Sequence, residues 1–300
     1  MWSNIEILLI APQFAVGLLI EGLLIGSVFA LIAYGLALVW GVMNVKNLAQ
    51  GPMVIAGGYV CWWLSTLGIH PLVGIFGSIV VLWVLSWVVF KFIVSKVLAL
   101  DMFVSLLATF GVAYVMEQSL SLIFTQNTRT IDLGWDSVTF FDGSVMVAKQ
   151  KFLAFGIACV LAVVLVLFMK RSRMGQAIRA TAQNARAARV MGIDTDRVYR
   201  FTFCLNGAIC GATGALIAMI WVIQPFYGIA YSIRAFVIVT AAGLGNLPGV
   251  IAAGLGMGAV EQFGGFVFGA QYQQAIIVGL LLVVLMIRLL QQSRKRQAVA

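Results

Sequence analysis

Four ionisable residues stand inside or beside long apolar runs of this 300-residue chain: Glu21, Glu117, Arg234 and Glu261. A charge in apolar surroundings is costly, so it faces protein, pairs with an opposite charge or lines a water-filled path. Glu117 and Glu261 fall deep in their runs and either line a path or bond to neighbouring helices. Arg234 follows Tyr227-Gly228, where a short helix begins. It suits an anionic group such as a carboxylate, and equally a bridge to Glu117 or Glu261. Glu21 fits a solvated helix end. Two helix-breaking stretches add candidates for a translocation pathway: Asn47, Gln50 and Gly51 before Pro52, and Gly243, Gly245, Asn246 and Pro248 within Ala241-Ala242-Gly243-Leu244-Gly245-Asn246-Leu247-Pro248-Gly249.

Other chemistries find no support. There is one histidine, His70, and no His-Glu-x-x-His. Cys61, Cys159, Cys204 and Cys210 lie in apolar stretches without zinc-type spacing and read as buried small residues, so no metal site is expected. The glycine-rich stretch at 241–249 has no strand before it and no Lys-Ser/Thr after it. The chain lacks Gly-x-x-x-x-Gly-Lys-Ser/Thr, so ATP hydrolysis must belong to another protein. No paired hydrolase site stands out, so no catalytic residue and no bound cofactor are expected.

The elements that hold these residues follow from composition. Hydrophobic residues make up 62% of the chain and charged ones 10%, where soluble proteins carry about a quarter. Runs of about 20 apolar residues predict an all-α, polytopic transmembrane bundle of 8–10 spans rather than a β-barrel. The spans fall near 21–43, 47–67, 72–94, 103–124, 152–169, 201–222, 229–243, 248–268 and 272–290, in one domain covering 1–300. Residues 5–20, interrupted by Pro12, lie along the interface or extend the first span. The net charge of +9 sits in short loops without interleaved aromatics, which argues against nucleic acid.

Loop charge predicts the orientation. With the N-terminus outside and the C-terminus inside, fifteen of the 19 Lys and Arg face the cytoplasm, from Lys46, Lys91 and Lys96 to Arg288, Arg294, Lys295 and Arg296. Only Arg129, Lys149 and Lys151 fall outside. Segments 47–67 and 229–243 both look broken or re-entrant and line a protected cavity. Laying 26–58 over 207–239 pairs Gly26 with Gly207, Ala37 with Ala218 and Trp40 with Trp221. The two stretches run in opposite directions, as in inverted repeats. Gly22 and Gly26, Gly207, Gly211 and Gly214, and Gly254 and Gly258 put small residues on single helix faces for close packing.

The densest charge lies at 170–200, with eight basic residues. Within it Arg179, Asn184, Ala185, Arg186, Ala187, Ala188, Arg189, Met191, Gly192 and Ile193 belong to an Ala-rich helical pattern. Asn184 interrupts it or caps a second helix, and Gly192 stops it. A helix standing off the membrane offers a soluble partner a grip: alanines for a groove, arginines for acidic residues.

At these residues the sequence resembles the permease subunits of Liv-type branched-chain amino acid ABC importers, in particular the LivH-like partner. The resemblance runs from about Gly22 to Leu290. Gly22-Leu23-Leu24-Ile25-Gly26-Ser27-Val28-Phe29-Ala30-Leu31 is similar to that family's first span. Asn47-Leu48-Ala49-Gln50-Gly51 is similar to its Asn-Phe-Ala-His-Gly element, and Gly243-Leu244-Gly245-Asn246-Leu247-Pro248-Gly249 to its Gly-Gly-(Leu/Ile)-Gly-Ser-(Ile/Leu)-Pro-Gly element. Asn184 to Ile193 resembles its cytoplasmic ATPase-contacting motif. Gln50 stands where histidine is common and Ala242 where the first glycine is usual. If that region touches substrate, specificity has room to drift from leucine, isoleucine and valine towards other amino acids, amides, urea or aromatic acids.

The resemblance implies a bacterial inner-membrane importer of branched-chain or related amino acids. This chain pairs there with a second, related permease, two ABC ATPases that bind ATP and Mg, and a periplasmic substrate-binding protein, all within membrane lipid. The alternative is a stand-alone secondary transporter or channel.

Overall fold

The computed structural model describes residues 6, 8, 10–98, 100–140, 145–243 and 245–297. Leu244 of the glycine-rich stretch, and residues 5, 7 and 9 of the run at 5–20, lie outside the described residues.

Among the described residues from Pro12 onward, eleven longer helices and one antiparallel strand pair follow in chain order. Helix α1 spans Pro12–Met43, α2 Gln50–Thr66, α3 Pro71–Val97 and α4 Met102–Phe124. The strands β1 (Ser137–Phe140) and β2 (Val145–Ala148) pair antiparallel. Then come α5 (Lys149–Arg171), α6 (Arg173–Gln183), α7 (Ala185–Val190), α8 (Thr195–Ile220), α9 (Gly228–Ala242), α10 (Leu247–Phe268) and α11 (Gln273–Gln297). Among the described residues, eight helices are long and apolar enough to cross a membrane. At 17 residues, α2 is shorter.

The ends of the helices follow local chemistry. Proline opens α1, α3 and α10, where its missing N–H costs nothing. The run at 5–20 joins the first span in part: α1 starts at Pro12 rather than near 21. At 32 residues it is about 48 Å long by helical rise. It stops at Asn44, whose φ of 56° is left-handed. A π turn at Phe90–Val94 interrupts α3. The hairpin was not foreseen, and the loop after α4 also pairs, through Arg129 and Ile223, with the chain beyond α8.

Small residues let the helices close up. A Cβ on Gly22 would stand 2.6 Å from Ala259 Cα, and one on Gly258 would stand 2.1 Å from Gly22 O. Thus α1 and α10 touch backbone to backbone. Gly207 and Gly211 of α8 meet α3 in the same way, and Gly214 meets α2. Helix α8 is accordingly buried along most of its length beyond Phe201. Outward faces remain apolar, as at Phe103, Leu107 and Phe110 of α4 and Val160, Val163 and Val164 of α5. Lipid or another membrane subunit covers such faces in a spanning protein. Cys61, Cys204 and Cys210 are buried as expected, whereas Cys159 lies on the exposed face of α5.

Candidate functional site

The first cluster lies where α2 and α9 begin. Asn47 and Gln50 are wholly buried. The Asn47 side chain accepts from the Ala49 amide at 3.1 Å, shaping the turn that starts α2. Gln50 and Asn206 of α8 exchange two amide hydrogen bonds, 3.0 and 2.9 Å, and Gln50 also donates to the Ile32 carbonyl at 2.9 Å. Three helices are tied by one buried side chain. The Gly51 amide sits in the first turn of α2, where it has no partner within the helix. It donates to the Ser232 hydroxyl of α9 at 2.8 Å, and that hydroxyl lies 3.0 Å from the Leu48 carbonyl. Thr109 of α4 accepts from the Leu48 amide at 3.3 Å. Gly51 permits this crossing, since a Cβ there would lie 1.7 Å from the Gly228 carbonyl oxygen.

The second cluster joins α9 to α10. Arg234 meets Glu261 side by side, Nε to Oε2 at 3.0 Å and Nη2 to Oε1 at 2.6 Å. Their side chains are 13% and 7% exposed. The guanidinium also lies over Phe29 and Tyr231, with centroids at 5.2 and 5.5 Å. Breaking so buried a pair costs about 3–5 kcal/mol. The pair borders a cavity of about 370 Å³ with Ile25, Trp221, Tyr227, Tyr231, Gln262 and Gln273 among its walls. Of the two partners weighed for Arg234, Glu261 is the one it meets. Glu117 of α4 stands apart, buried, with Oε1 lacking a hydrogen-bond partner among the described residues. Glu21, expected at a solvated end, is instead partly buried and bonded to Lys151 of α5 at 2.6 Å.

The third cluster is the basic segment. Ser172 caps α6 through the Gly175 amide at 2.8 Å, and Asn184 caps α7 through the Ala187 amide at 3.0 Å. Asn184 therefore both interrupts the pattern and caps a second helix. Gly192 turns the chain at a φ of +84°, and Asp194 caps α8. Gly175, Ile178 and Thr181 form the buried face of α6. Arg179 donates to the Met169 carbonyl. Arg189 donates twice to Thr195 Oγ1, at 3.1 and 2.7 Å, fastening α7 to α8.

Ala188 is buried and Ala185 half-buried, while Ile193 packs against the core. Of the three alanines expected to meet a partner, one thus turns inward. Arg186, Ala187, Val190 and Met191 face out, the last two 83% and 82% exposed.

The glycine-rich turn belongs near this third cluster rather than the second. Asn246 caps α10 through Gly249 at 3.1 Å, with Pro248 in the first turn. Gly243 and Gly245 have φ of +92° and +85°, and Arg288 donates to the Ala241 carbonyl at 3.3 Å. Gly245 shares a cavity of about 630 Å³ with Trp40, Met169, Arg179, Gln183 and Leu247. Sequence reading missed Asn206, Ser232, Thr109 and Thr195. A lone Asn within the apolar run of α8 was the one signal on hand.

Apolar spans with two short helices meeting head to head, ion pairs between spans at Arg234–Glu261 and Glu21–Lys151, and a basic helix pair at one end describe a multi-pass membrane protein. The chain matches, over residues 18–286, the family described as branched-chain amino acid transport system / permease component, and it belongs to that family. It is 28% identical over 284 residues to the high-affinity branched-chain amino acid transport system permease protein BraD of Pseudomonas aeruginosa, covering 90% of this chain and 92% of that one. It is 28% identical over 287 residues to the permease protein LivH of Escherichia coli K12, covering 89% and 91%. A probable LivH of Methanocaldococcus jannaschii is 26% identical over 260 residues, covering 81% and 79%. Family membership makes this chain a permease component of ABC transport, not an enzyme.

Proposed function

We propose that this chain is the membrane-spanning subunit of a binding-protein-dependent importer for branched-chain or related amino acids in a bacterial inner membrane. Its N-terminus lies outside and its C-terminus inside, as its loop charges favour. A second, related permease, two ABC ATPases carrying ATP and Mg, and a periplasmic binding protein complete the machine. The single observation that carries this reading is the α6–α7 pair. Two short capped helices hold one face on the bundle, are fastened to α8 by Arg189, and offer Arg186, Val190 and Met191 outward. Exposed apolar groups beside a cation suit a protein partner, not bulk water. An ATPase that grips this pair moves α8 with it, and the bundle rocks between outward-open and inward-open states.

The internal repeat is part of the same proposal. Laying 26–58 over 207–239 sets Gly51 on Ser232, and those two residues are hydrogen-bonded. Equivalent positions of two halves touch where a twofold axis passes. An experimental structure in which these stretches fail to superpose after a half-turn would end that reading.

The direct test is co-purification with the ATPase subunits. Replacing Arg186 and Arg189 with glutamate is expected to abolish it while leaving the permease in the membrane. Transport by liposomes holding this chain alone would overturn this reading in favour of a stand-alone carrier, which the buried Glu117, its Oε1 without a hydrogen-bond partner among the described residues, would suit.

A further inference from the structure

We propose that the Arg234–Glu261 pair is the point at which the permease senses both charges of its solute, opening by exchange when a zwitterion arrives. This rests on the importer reading above. The solute's carboxylate takes the place of Glu261 on the guanidinium, and its ammonium takes the place of the guanidinium on Glu261. No net charge enters or leaves the site at any stage.

The site's position fits this role. The cavity is bounded by the turn after α8 and the first turn of α11, which lie at the end of the bundle away from α6 and α7. A solute delivered from that end meets the pair as it descends. The cavity's volume, about 370 Å³, falls in the range of about 300–1,000 Å³ typical of small-molecule sites. Its walls divide by chemistry. Ile25, Trp221 and Tyr227 offer apolar surface for an aliphatic side chain, and Gln262 and Gln273 supply further polar groups.

The energetics supply the selectivity. Removing one partner from a buried ion pair leaves an uncompensated charge, which the surroundings cannot solvate. A monoanion satisfies Arg234 but strands Glu261; a monocation does the reverse. Only a molecule carrying both charges releases the two together. Phe29 and Tyr231 flank the guanidinium, so Arg234 keeps its place while Glu261 turns away. A site built to bond two charges rejects an analogue lacking one more strongly than it distinguishes aliphatic side chains by size.

Two measurements on the assembled complex test the proposal. The first uses the complex in detergent without binding protein and compares leucine, leucinamide and 4-methylpentanoate by saturation-transfer NMR. Leucine is expected to bind at least tenfold better than either singly charged analogue. Equal binding of the three overturns the proposal.

The second replaces the pair with apolar groups, Arg234→Met with Glu261→Leu, an exchange that buried ion pairs often tolerate. Complexes that retain ATPase subunits and ATPase stimulation by loaded binding protein are then scored for uptake per ATP. A drop of tenfold or more is expected. Wild-type uptake means the pair only braces α9 against α10, and the proposal falls. If the double variant does not assemble, the analogue comparison on the unmodified complex decides alone. Failure of the importer reading would show separately, as ATPase subunits that never co-purify.

Discussion

The amide of Gly51 donates to the hydroxyl of Ser232 across 2.8 Å, joining the first turn of α2 to the start of the second turn of α9. Helix α2 starts inside the protein, and its first-turn amides have no partner in their own helix. Ser232 serves as a cap supplied by the opposite helix. Its hydroxyl also bonds the Leu48 carbonyl, so one side chain settles two backbone groups.

Gly51→Ala is expected to destabilise the permease by about 1–3 kcal/mol or more, because the added methyl meets the Gly228 carbonyl rather than a movable side chain. Ser232→Ala leaves the Gly51 amide unpaired and costs about 1–3 kcal/mol. Thermal melting of purified protein in detergent checks both. An unchanged midpoint for Gly51→Ala would show that α2 and α9 do not cross this closely.

Gln50 and Asn206 form a closed amide pair between α2 and α8. Asn206→Leu strands the Gln50 amide and should lower stability by about 1–3 kcal/mol. Replacing both residues with leucine should cost less than the sum of the single changes. A double-mutant cycle measures that coupling, and strictly additive effects would contradict the pairing.

Arg186 and Arg189 are expected to separate in their effects. Arg186 faces outward, so Arg186→Ala should weaken ATPase co-purification without moving the melting temperature. Arg189 holds Thr195, so Arg189→Ala should leave binding largely intact while lowering transport per ATP hydrolysed. Titration of ATPase binding beside a coupled uptake assay distinguishes them. Identical behaviour of the two variants would refute the division of roles.

Asn184→Ala removes the cap of α7 and should cost that helix about 1 kcal/mol. The effect is local, so global melting should change little. Hydrogen exchange at the Ala187 amide should quicken about fivefold, by the same free energy. No change there would mean another group holds the α7 start.

Much of the architecture was legible because spans are written locally. Apolar runs, prolines at helix starts and the Asn184 and Gly192 signals each act within a turn or two. The close-packing faces were legible too in Gly22, Gly26, Gly254 and Gly258, though not that those two pairs meet each other. Partners across the fold were harder to read. Gln50 finds Asn206 at a separation of 156 residues, and Glu21 finds Lys151 at 130. Such pairings depend on how whole helices lean together, which no local pattern records. Arg234 shows the intermediate case: its need for a carboxylate was plain, but only packing chose Glu261. The glycine-rich turn was legible as a helix break from its own residues, whereas its neighbours Trp40, Met169 and Arg179 come from distant parts of the chain.

One consequence of α8 concerns distance. Its 26 residues run about 39 Å, without proline, between the Arg189–Thr195 clasp and Trp221 beside the Arg234 cavity. Its glycines fit neighbouring backbones too closely for it to bend at any one of them. The helix therefore works as a stiff rod seated in smooth bearings. A tilt imposed at one face of the membrane must reappear, reversed in direction, at the other, with no chain of side-chain rearrangements needed to carry it.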